Sequence, residues 1–292
     1  MQANAVATAL GGLGTEVEIV PITTSGDTGQ KAGEKAAPAD KSRFVKEIED
    51  ALLAGEVDLA VHSAKDLPGW LPDGLAIAAV PAGEDPRDAL VGATEPIDAL
   101  PDGARVGTSS LRRRSLLLAT NPRIDVVPMR GNVDTRLRKL AERECDAIVL
   151  ALAGLKRLGR GDEAGVALDV DRFVPAAGQG LLAVETRVDD PAATAVRPLE
   201  DAGARRRLEA ERAVVAELDA SCHTPVGAHA RVDGERLALH AYVGLPDGSE
   251  WITDRVEASA AEPGAAGGEL ARRMLAAGAG ELLRRAESTL GP

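Results

Sequence analysis

R-V-G-T-S-S-L-R-R-R-S-L-L-L-A-T-N-P-R-I-D-V-V-P-M-R-G-N-V-D-T-R-L-R-K-L-A-E-R-E-C-D-A-I-V-L-A-L, residues 105–152, is the stretch that decides the fold. Short apolar runs at 105–106, 124–127 and 147–152 read as strands, and helical patterns start between them at Ser110 and Val133. Strands alternating with helices predict a parallel α/β sheet. Thr108, Ser109 and Ser110 supply side-chain oxygens where the first helix begins and its N–H groups are free.

The same stretch carries a charge anomaly. Residues 105–143 hold ten basic side chains against three acidic ones, a net of +7 in a protein of net −12, so the remainder sums to −19. Arg112 and Arg113 fall in a first helical turn, where the macrodipole disfavours cations unless an anion is bound. Arg130 and Arg136 follow the next strand end, with Gly131 permitting close backbone approach to a ligand. Lys156-Arg157 follows the third. Three strand ends thus deliver arginines to one sheet edge, and the planar guanidinium fork matches both oxygens of a carboxylate. A ligand with several carboxylates is implied.

Working outward, 292 residues that are 45% hydrophobic suffice for two or three domains. Residues 15–21 read as a strand, 44–54 as a helix and 59–62 as a short buried strand. Between the first two lies 24–42, rich in Gly, Lys, Ala and Asp, which is expected to form a mobile loop. Residues 81–87 read as a connection, and 174–185 as a crossing segment followed by a strand. Past about residue 200 a helix over 204–218 precedes strands at 231–239, 240–243 and 251–257. Asp233-Gly234 and Pro246-Asp247-Gly248 turns join them, and a helix over 269–287 completes a small α+β domain.

Nothing resembles a signal peptide and the apolar runs are too short to cross a bilayer, so a soluble cytoplasmic protein is expected. The acidity argues against nucleic acid as the main partner. Arg outnumbers Lys 27 to 7 and only five residues are aromatic, a bias that fits either adaptation to high salt or a GC-rich genome.

Two further segments carry chemistry. In V-H-S-A-K-D-L-P, residues 61–68, a buried strand ends in polar residues, the place where α/β sheets position ligands. Asp66 there either stabilises a cationic or N–H-rich reacting group or forms a surface pair with Lys65 beside a turn. In S-C-H-T-P-V-G, residues 221–227, Cys222 lies in a loop flanked by Pro and Gly, whereas Cys145 falls in a buried strand as inert packing. Cys222 reads as a nucleophile, a covalent attachment point or a structural thiol. The histidines are too scattered for a metal site, and no metal is expected.

Taken together, V-H-S-A-K-D-L-P (61–68), E-D-P-R-D-A (84–89), V-G-T-S-S-L-R-R (106–113), M-R-G-N-V-D-T-R-L (129–137), L-A-G-L-K-R-L-G (152–159), P-A-A-G-Q-G (175–180) and S-C-H-T-P-V-G-A (221–228) closely resemble the hydroxymethylbilane synthase family, also called porphobilinogen deaminases. The resemblance implies two α/β domains of the type II periplasmic-binding-protein kind, 1–82 with 178–199 and 86–174, and a C-terminal α+β domain over 203–292 that attaches the cofactor. It implies a monomer that condenses four porphobilinogen molecules head to tail with release of ammonia. The implied cofactor is dipyrromethane, held by a thioether to Cys222. Asp66 is implied as the catalytic carboxylate. Ser63, Lys65, Thr108, Ser110, Arg112, Arg113 and Arg130 are implied as cofactor contacts. Arg136 and Arg157, with Arg112 and Arg130, are implied as substrate contacts, and Gln179 as part of a hinge. Arg105, Arg114, Arg123 and Arg138 are expected to be ordinary surface charges. The competing readings are a non-catalytic polycarboxylate binder on the same two-lobed fold, a Cys-dependent hydrolase, and an inactive synthase short at its N-terminus.

Two departures from the family pattern stand out. The family opens with a strand and an R-G-S-x-L-A-x-x-Q motif, of which only Gln2 remains here, so weak folding of the first domain and low turnover are expected if nothing precedes Met1. Lys41-Ser42-Arg43-Phe44 stands where a Lys-Gly-Leu-Phe run is usual, which alters the adjoining loop but not the chemistry.

Overall fold

The structure, a computed structural model, describes residues 1–22, 41–221 and 224–288. The chain opens with α1 (Gln2–Gly12), α2 (Lys41–Leu53), β1 (Leu59–Ser63) and β2 (Leu75–Ala79). There follow β3 (Asp88–Val91), β4 (Arg105–Gly107), α3 (Leu111–Thr120), β5 (Asp125–Val127), α4 (Val133–Ala141), β6 (Ala147–Ala151), α5 (Leu152–Arg157) and β7 (Val166–Ala167). Strand β8 (Leu182–Arg187), α6 (Pro191–Val196) and α7 (Ala202–Glu217) lead to β9 (Val226–Asp233), β10 (Arg236–Gly244), β11 (Trp251–Ser259), α8 (Pro263–Ala276) and α9 (Ala279–Ser288).

The chain divides into two compact units, 1–83 with 181–205, and 84–180 with 206–292. In the first, β8 is the middle strand of an antiparallel sheet of order β1-β8-β2. Its position explains why Ala183, Val184, Glu185 and Thr186 are all buried, since a central strand has covered faces on both sides. Val6 and Leu10, one helical turn apart on α1, pack against Ala79, Val184 and Val196, while Leu52 of α2 packs against Ala60 and Leu75.

In the second unit a five-stranded sheet runs β5-β4-β6-β3-β7. Strand β4 is parallel to β5 and β6, whereas β3 is antiparallel to β6 and β7. The apolar run of β6 fills both faces of this sheet, with Val149 in one core and Ile148 and Leu150 in the other. The C-terminal part is an antiparallel meander, β9-β10-β11, whose apolar face, including Ala230, Leu239, Ala241 and Val243, packs with Val214 of α7 and with Leu270 and Met274 of α8.

Several expectations need correction. Residues 15–21 pair with no strand of the described sheets; Val17 packs against the Val6 and Leu10 cluster without a ladder. Helix α1 and strands β2 and β3 were hidden by short or Ala-rich runs with little periodicity, and the antiparallel β3 makes the sheet mixed rather than parallel. The strands read at 231–239 and 240–243 are instead Val226–Asp233 and Arg236–Gly244, with the chain turning between them at Gly234 (φ +58). The single helix read at 269–287 is two helices, because Gly278 (φ +103) breaks it. The loop expected at 24–42 lies outside the described residues up to position 40, beyond which α2 has begun.

Gly180, after the crossing segment, has φ +88, and its carbonyl accepts from the Glu84 N–H at 3.0 Å. A Cβ there would press into the Glu84 carbonyl oxygen. Gly180→Ala is expected to lower the midpoint of urea unfolding, with a loss above about 1 kcal/mol; an unchanged midpoint would show that the turn yields freely.

Candidate active site

Asp88, the first residue of β3, is completely buried. Two arginines from the first turn of α3 converge on it. Arg112 donates from Nη2 to Asp88 Oδ2 at 2.8 Å and from Nη1 to the Val174 carbonyl at 2.7 Å. Arg113 donates from Nη2 to Asp88 Oδ1 at 2.7 Å, from Nε to the same oxygen at 3.2 Å, and from Nη1 to the Val149 carbonyl at 2.9 Å. Gln179 adds a third donor, Nε2 to Asp88 Oδ1 at 2.9 Å, and also reaches the Pro86 carbonyl at 2.7 Å. Burial alone would raise the Asp88 pKa, but the two guanidiniums outweigh it and hold the carboxyl far below the usual range. Two cations on one anion leave a surplus positive charge beneath a helix N-terminus, which is itself partially positive.

The strand-end loops after β4 and β5 are stitched together above this cluster. Thr108 N–H donates to the Val127 carbonyl at 2.9 Å, and Met129 N–H donates to Ser109 Oγ at 3.0 Å. Thr108 Oγ1 accepts from Ser110 N–H at 3.2 Å, and Ser110, as N-cap of α3, accepts from Arg113 N–H at 3.4 Å. In the second loop Gly131 (φ +114) brings its carbonyl under Arg136 Nε at 2.7 Å, and Asn132 caps α4 through Thr135 N–H at 2.9 Å.

Arg136 has no carboxylate partner among the described residues. Burial pushes its guanidinium pKa down, and the positive charge of Arg113 pushes it the same way. A half-buried cation placed beside another cation, with unused N–H donors, is the electrostatic signature of an anion site. Arg130, the residue before Gly131, is exposed and makes no hydrogen bond or ion pair among the described residues. Farther along the sheet edge, Arg157 donates to the Gly180 carbonyl at 2.8 Å and Lys156 pairs with Glu84 at 2.8 Å. Burial lowers the Arg157 pKa against the opposing influence of Glu84. A ligand with several carboxylates fits this donor set.

The first unit presents the other candidate group. Strand β1 ends at Ser63, whose Oγ accepts from Gln2 Nε2 at 2.7 Å, and a single 3₁₀ turn, Ala64–Asp66, follows. Lys65 and Asp66 on this turn are half-buried. The turn is anchored from behind: Ala64 N–H donates to the Leu181 carbonyl at 3.1 Å, and His62 Nε2 meets Glu185 Oε2 at 2.9 Å in a buried pair. Glu49 of α2 joins them, its pKa raised by burial and by the charge of Glu185. Cys222 and His223 lie outside the described residues.

Among the residues named from sequence, Thr108, Ser110 and Arg130 thus lie in one pair of stitched loops, and Arg112, Arg113 and Arg136 in the helices that these loops open. Arg157 and Gln179 are held in the same unit, while Ser63, Lys65 and Asp66 belong to the other. Asp88 was missed, although it stands in the E-D-P-R-D-A run; an acid opening a short apolar run was its only local signal, and the arginines it meets lie 24 and 25 residues later. Glu49 and Glu185 were also unseen, because nothing local to 49 or 185 marks a partner distant in sequence; Ser109 was read among the capping oxygens, but not its bond to the Met129 N–H.

Asp88→Asn should leave two buried guanidiniums short of an anion and destabilise the chain by about 3–5 kcal/mol. The Asp88 pKa is depressed on folding, so its contribution is complete above the unfolded value near about 4 and is lost as pH falls toward the depressed native value. The stability gap between wild type and Asp88→Asn, read from urea midpoints, is therefore expected to be flat from neutral pH down to about pH 5 and to narrow below it. A gap independent of pH down to pH 2 would contradict the assignment.

Two family models match the chain: "Porphobilinogen deaminase, dipyromethane cofactor binding domain" over residues 1–195 and "Porphobilinogen deaminase, C-terminal domain" over residues 206–276. A porphobilinogen deaminase of Roseiflexus castenholzii is 47% identical over 274 residues, covering 92% of this chain and 89% of that protein. One from Acidithiobacillus ferrooxidans is 48% identical over 273 residues, covering 92% and 88%. Among solved structures, a TRAP periplasmic solute binding protein from Ralstonia eutropha H16 has a TM-score of 0.39 and 14% identity over 71% of this chain and 75% of that one. With the family models spanning both units and relatives near half identity over nine-tenths of its length, the chain belongs to the porphobilinogen deaminase family.

Proposed function

We propose that the chain is a hydroxymethylbilane synthase, a transferase that joins four porphobilinogen molecules head to tail, releases ammonia at each step and yields the linear tetrapyrrole hydroxymethylbilane. The observation that carries this reading is Arg136, half-buried against the charge of Arg113 and with no carboxylate partner among the described residues. Each pyrrole of the substrate bears an acetate and a propionate, so a growing chain brings successive carboxylates to such a site. Family membership supports the same assignment.

When bound through Cys222, dipyrromethane supplies the pyrrole end from which the product is extended and tethers it. Arg130 and Arg136 pair with carboxylates of the bound pyrroles, and Arg157 takes those farther along the sheet edge. Arg112 and Arg113 already spend donors on Asp88. Their role is to fix the α3 N-terminus, offer their remaining N–H groups and maintain its positive field, with Thr108 and Ser110 ordering the loop. Asp66 accepts the pyrrole N–H and stabilises the positive charge that develops on that nitrogen as ammonia leaves. Lys65 and Ser63 keep the turn polar around it. Gln179, bridging Asp88 and Pro86, acts at the hinge. The reading includes a cytoplasmic monomer with no nucleic-acid partner, consistent with the acidic composition and with the absence, among the described residues, of a helix long and apolar enough to cross a membrane.

Intact-mass measurement of the purified full chain tests the proposal. A gain of two linked pyrrole units is expected, and Cys222→Ala should abolish it. An unmodified thiol in protein from a porphobilinogen-producing host would leave only a polycarboxylate binder. Asp66→Asn is expected to keep the adduct while lowering kcat by about 100-fold or more; wild-type turnover in that variant would remove Asp66 from the mechanism.

A further inference from the structure

Behind the Asp66 turn the first unit buries three titratable side chains that the mechanism does not use. Glu49 and His62 are 5% exposed and Glu185 not at all, too little for contact with a substrate. Strand register accounts for their meeting. Glu185 of β8 stands opposite Ala60, two residues from His62 on the same face of β1, and from that diagonal position its Oε2 accepts from His62 Nε2 at 2.9 Å. Helix α2 covers this face through Leu52, which packs on Ala60 and Leu75, and Glu49 lies one helical turn before Leu52.

The trio is a poor source of stability. Two carboxyls share the interior with one imidazole, so ionising both leaves surplus negative charge even when the ring is protonated. Burial and the charge of Glu185 accordingly push the Glu49 pKa up; His62 opposes them, and Asp50 of the same helix adds a smaller push upward. Lys46 is exposed, and β2, which also packs against α2, has no titratable side chain. One oxygen each of Glu49 and Glu185 is buried with no hydrogen-bond partner among the described residues, a further cost. Apolar groups of similar volume would pack here at least as well. The contact between His62 and Glu185 supplies direction instead. The ladder between β1 and β8 ends at Ser63 opposite Leu182, and β1 is laddered on one side only among the described strands. The turn bearing Asp66 starts at the next residue, and α2 packs against it. His62 thus fastens the strand just before the chain leaves the sheet.

We propose that His62, anchored by Glu185, is a positioning residue for Asp66: their buried hydrogen bond holds the end of β1 and so fixes where the Asp66 carboxylate stands. The inference rests on the catalytic role proposed for Asp66. Without the bond the strand end shifts by about 1 Å, enough to slow a reaction whose groups must be aligned. The arginines that take carboxylates belong to the other unit, so substrate affinity is spared.

The double variant His62→Leu/Glu185→Met of the full chain separates position from stability, because removing both partners leaves neither one orphaned. Its urea midpoint is expected to match or exceed that of wild type, and its mass to keep the two-pyrrole adduct. Its kcat should fall by about 10- to 100-fold with KM within about twofold of wild type. His62→Gln, whose amide can donate to Glu185 in place of Nε2, should recover most of the lost turnover. In an Asp66→Asn background the double substitution should cost little more, since both act through one carboxylate. Wild-type kcat in the double variant, a collapse of its urea midpoint, a loss that His62→Gln does not reduce, or losses that add to that of Asp66→Asn would each overturn the inference. Wild-type turnover in Asp66→Asn alone would instead remove the reading of Asp66, and the inference with it.

Discussion

The second unit is organised around a single buried carboxylate. Asp88 sits with no exposed surface at the start of β3, and placing an anion there is costly unless counter-charges are fixed against it. Arg112 and Arg113 meet that need from α3, and in doing so they tie the helix to the strand. The carbonyls of Val149 and Val174 receive further donors from the same two side chains, so the pair also pins β6 and the segment before the crossing. Gln179 attaches the crossing itself. Each of these contacts is local, but together they determine where the N-terminus of α3 points and that its surroundings are positive.

The arginines of the basic island are accordingly of three kinds. Arg112 and Arg113 are interior groups whose first partner is Asp88. Arg130 and Arg136 belong to the loop and helix start that Gly131 and Asn132 shape, Arg130 exposed and Arg136 half-buried, with burial and the charge of Arg113 both pushing the Arg136 pKa down. Arg123 and Arg138 form exposed pairs with Asp102 and Glu142, which contribute little to stability. Arg114 is intermediate, donating to the Val126 carbonyl at 2.9 Å.

The α/β alternation over 105–152 was legible because its strands are short apolar runs and its helices begin at Ser110 and Asn132, residues that cap. The placement of Arg130 and Arg136 just after a strand end followed from the same punctuation. What stayed hidden depends on contacts between distant residues. No periodicity marks β3, four residues long and buried on both faces, and nothing near Arg112 in sequence reveals that its partner lies 24 residues earlier. A sequence dense in arginine invites the reading that every fork awaits a ligand, whereas a charge inside a core must first be balanced there. Likewise the buried His62 and Glu185 pair behind the Asp66 turn is set by strand register across 123 residues, which local pattern does not encode.

The central claim is that this positive site, on a chain of the porphobilinogen deaminase family, serves repeated condensation rather than passive binding of carboxylates. Counting ammonia against product tests it most directly. With porphobilinogen supplied in excess to the full chain, the account predicts four ammonia molecules released for each hydroxymethylbilane formed. Binding of porphobilinogen with no ammonia released would contradict it.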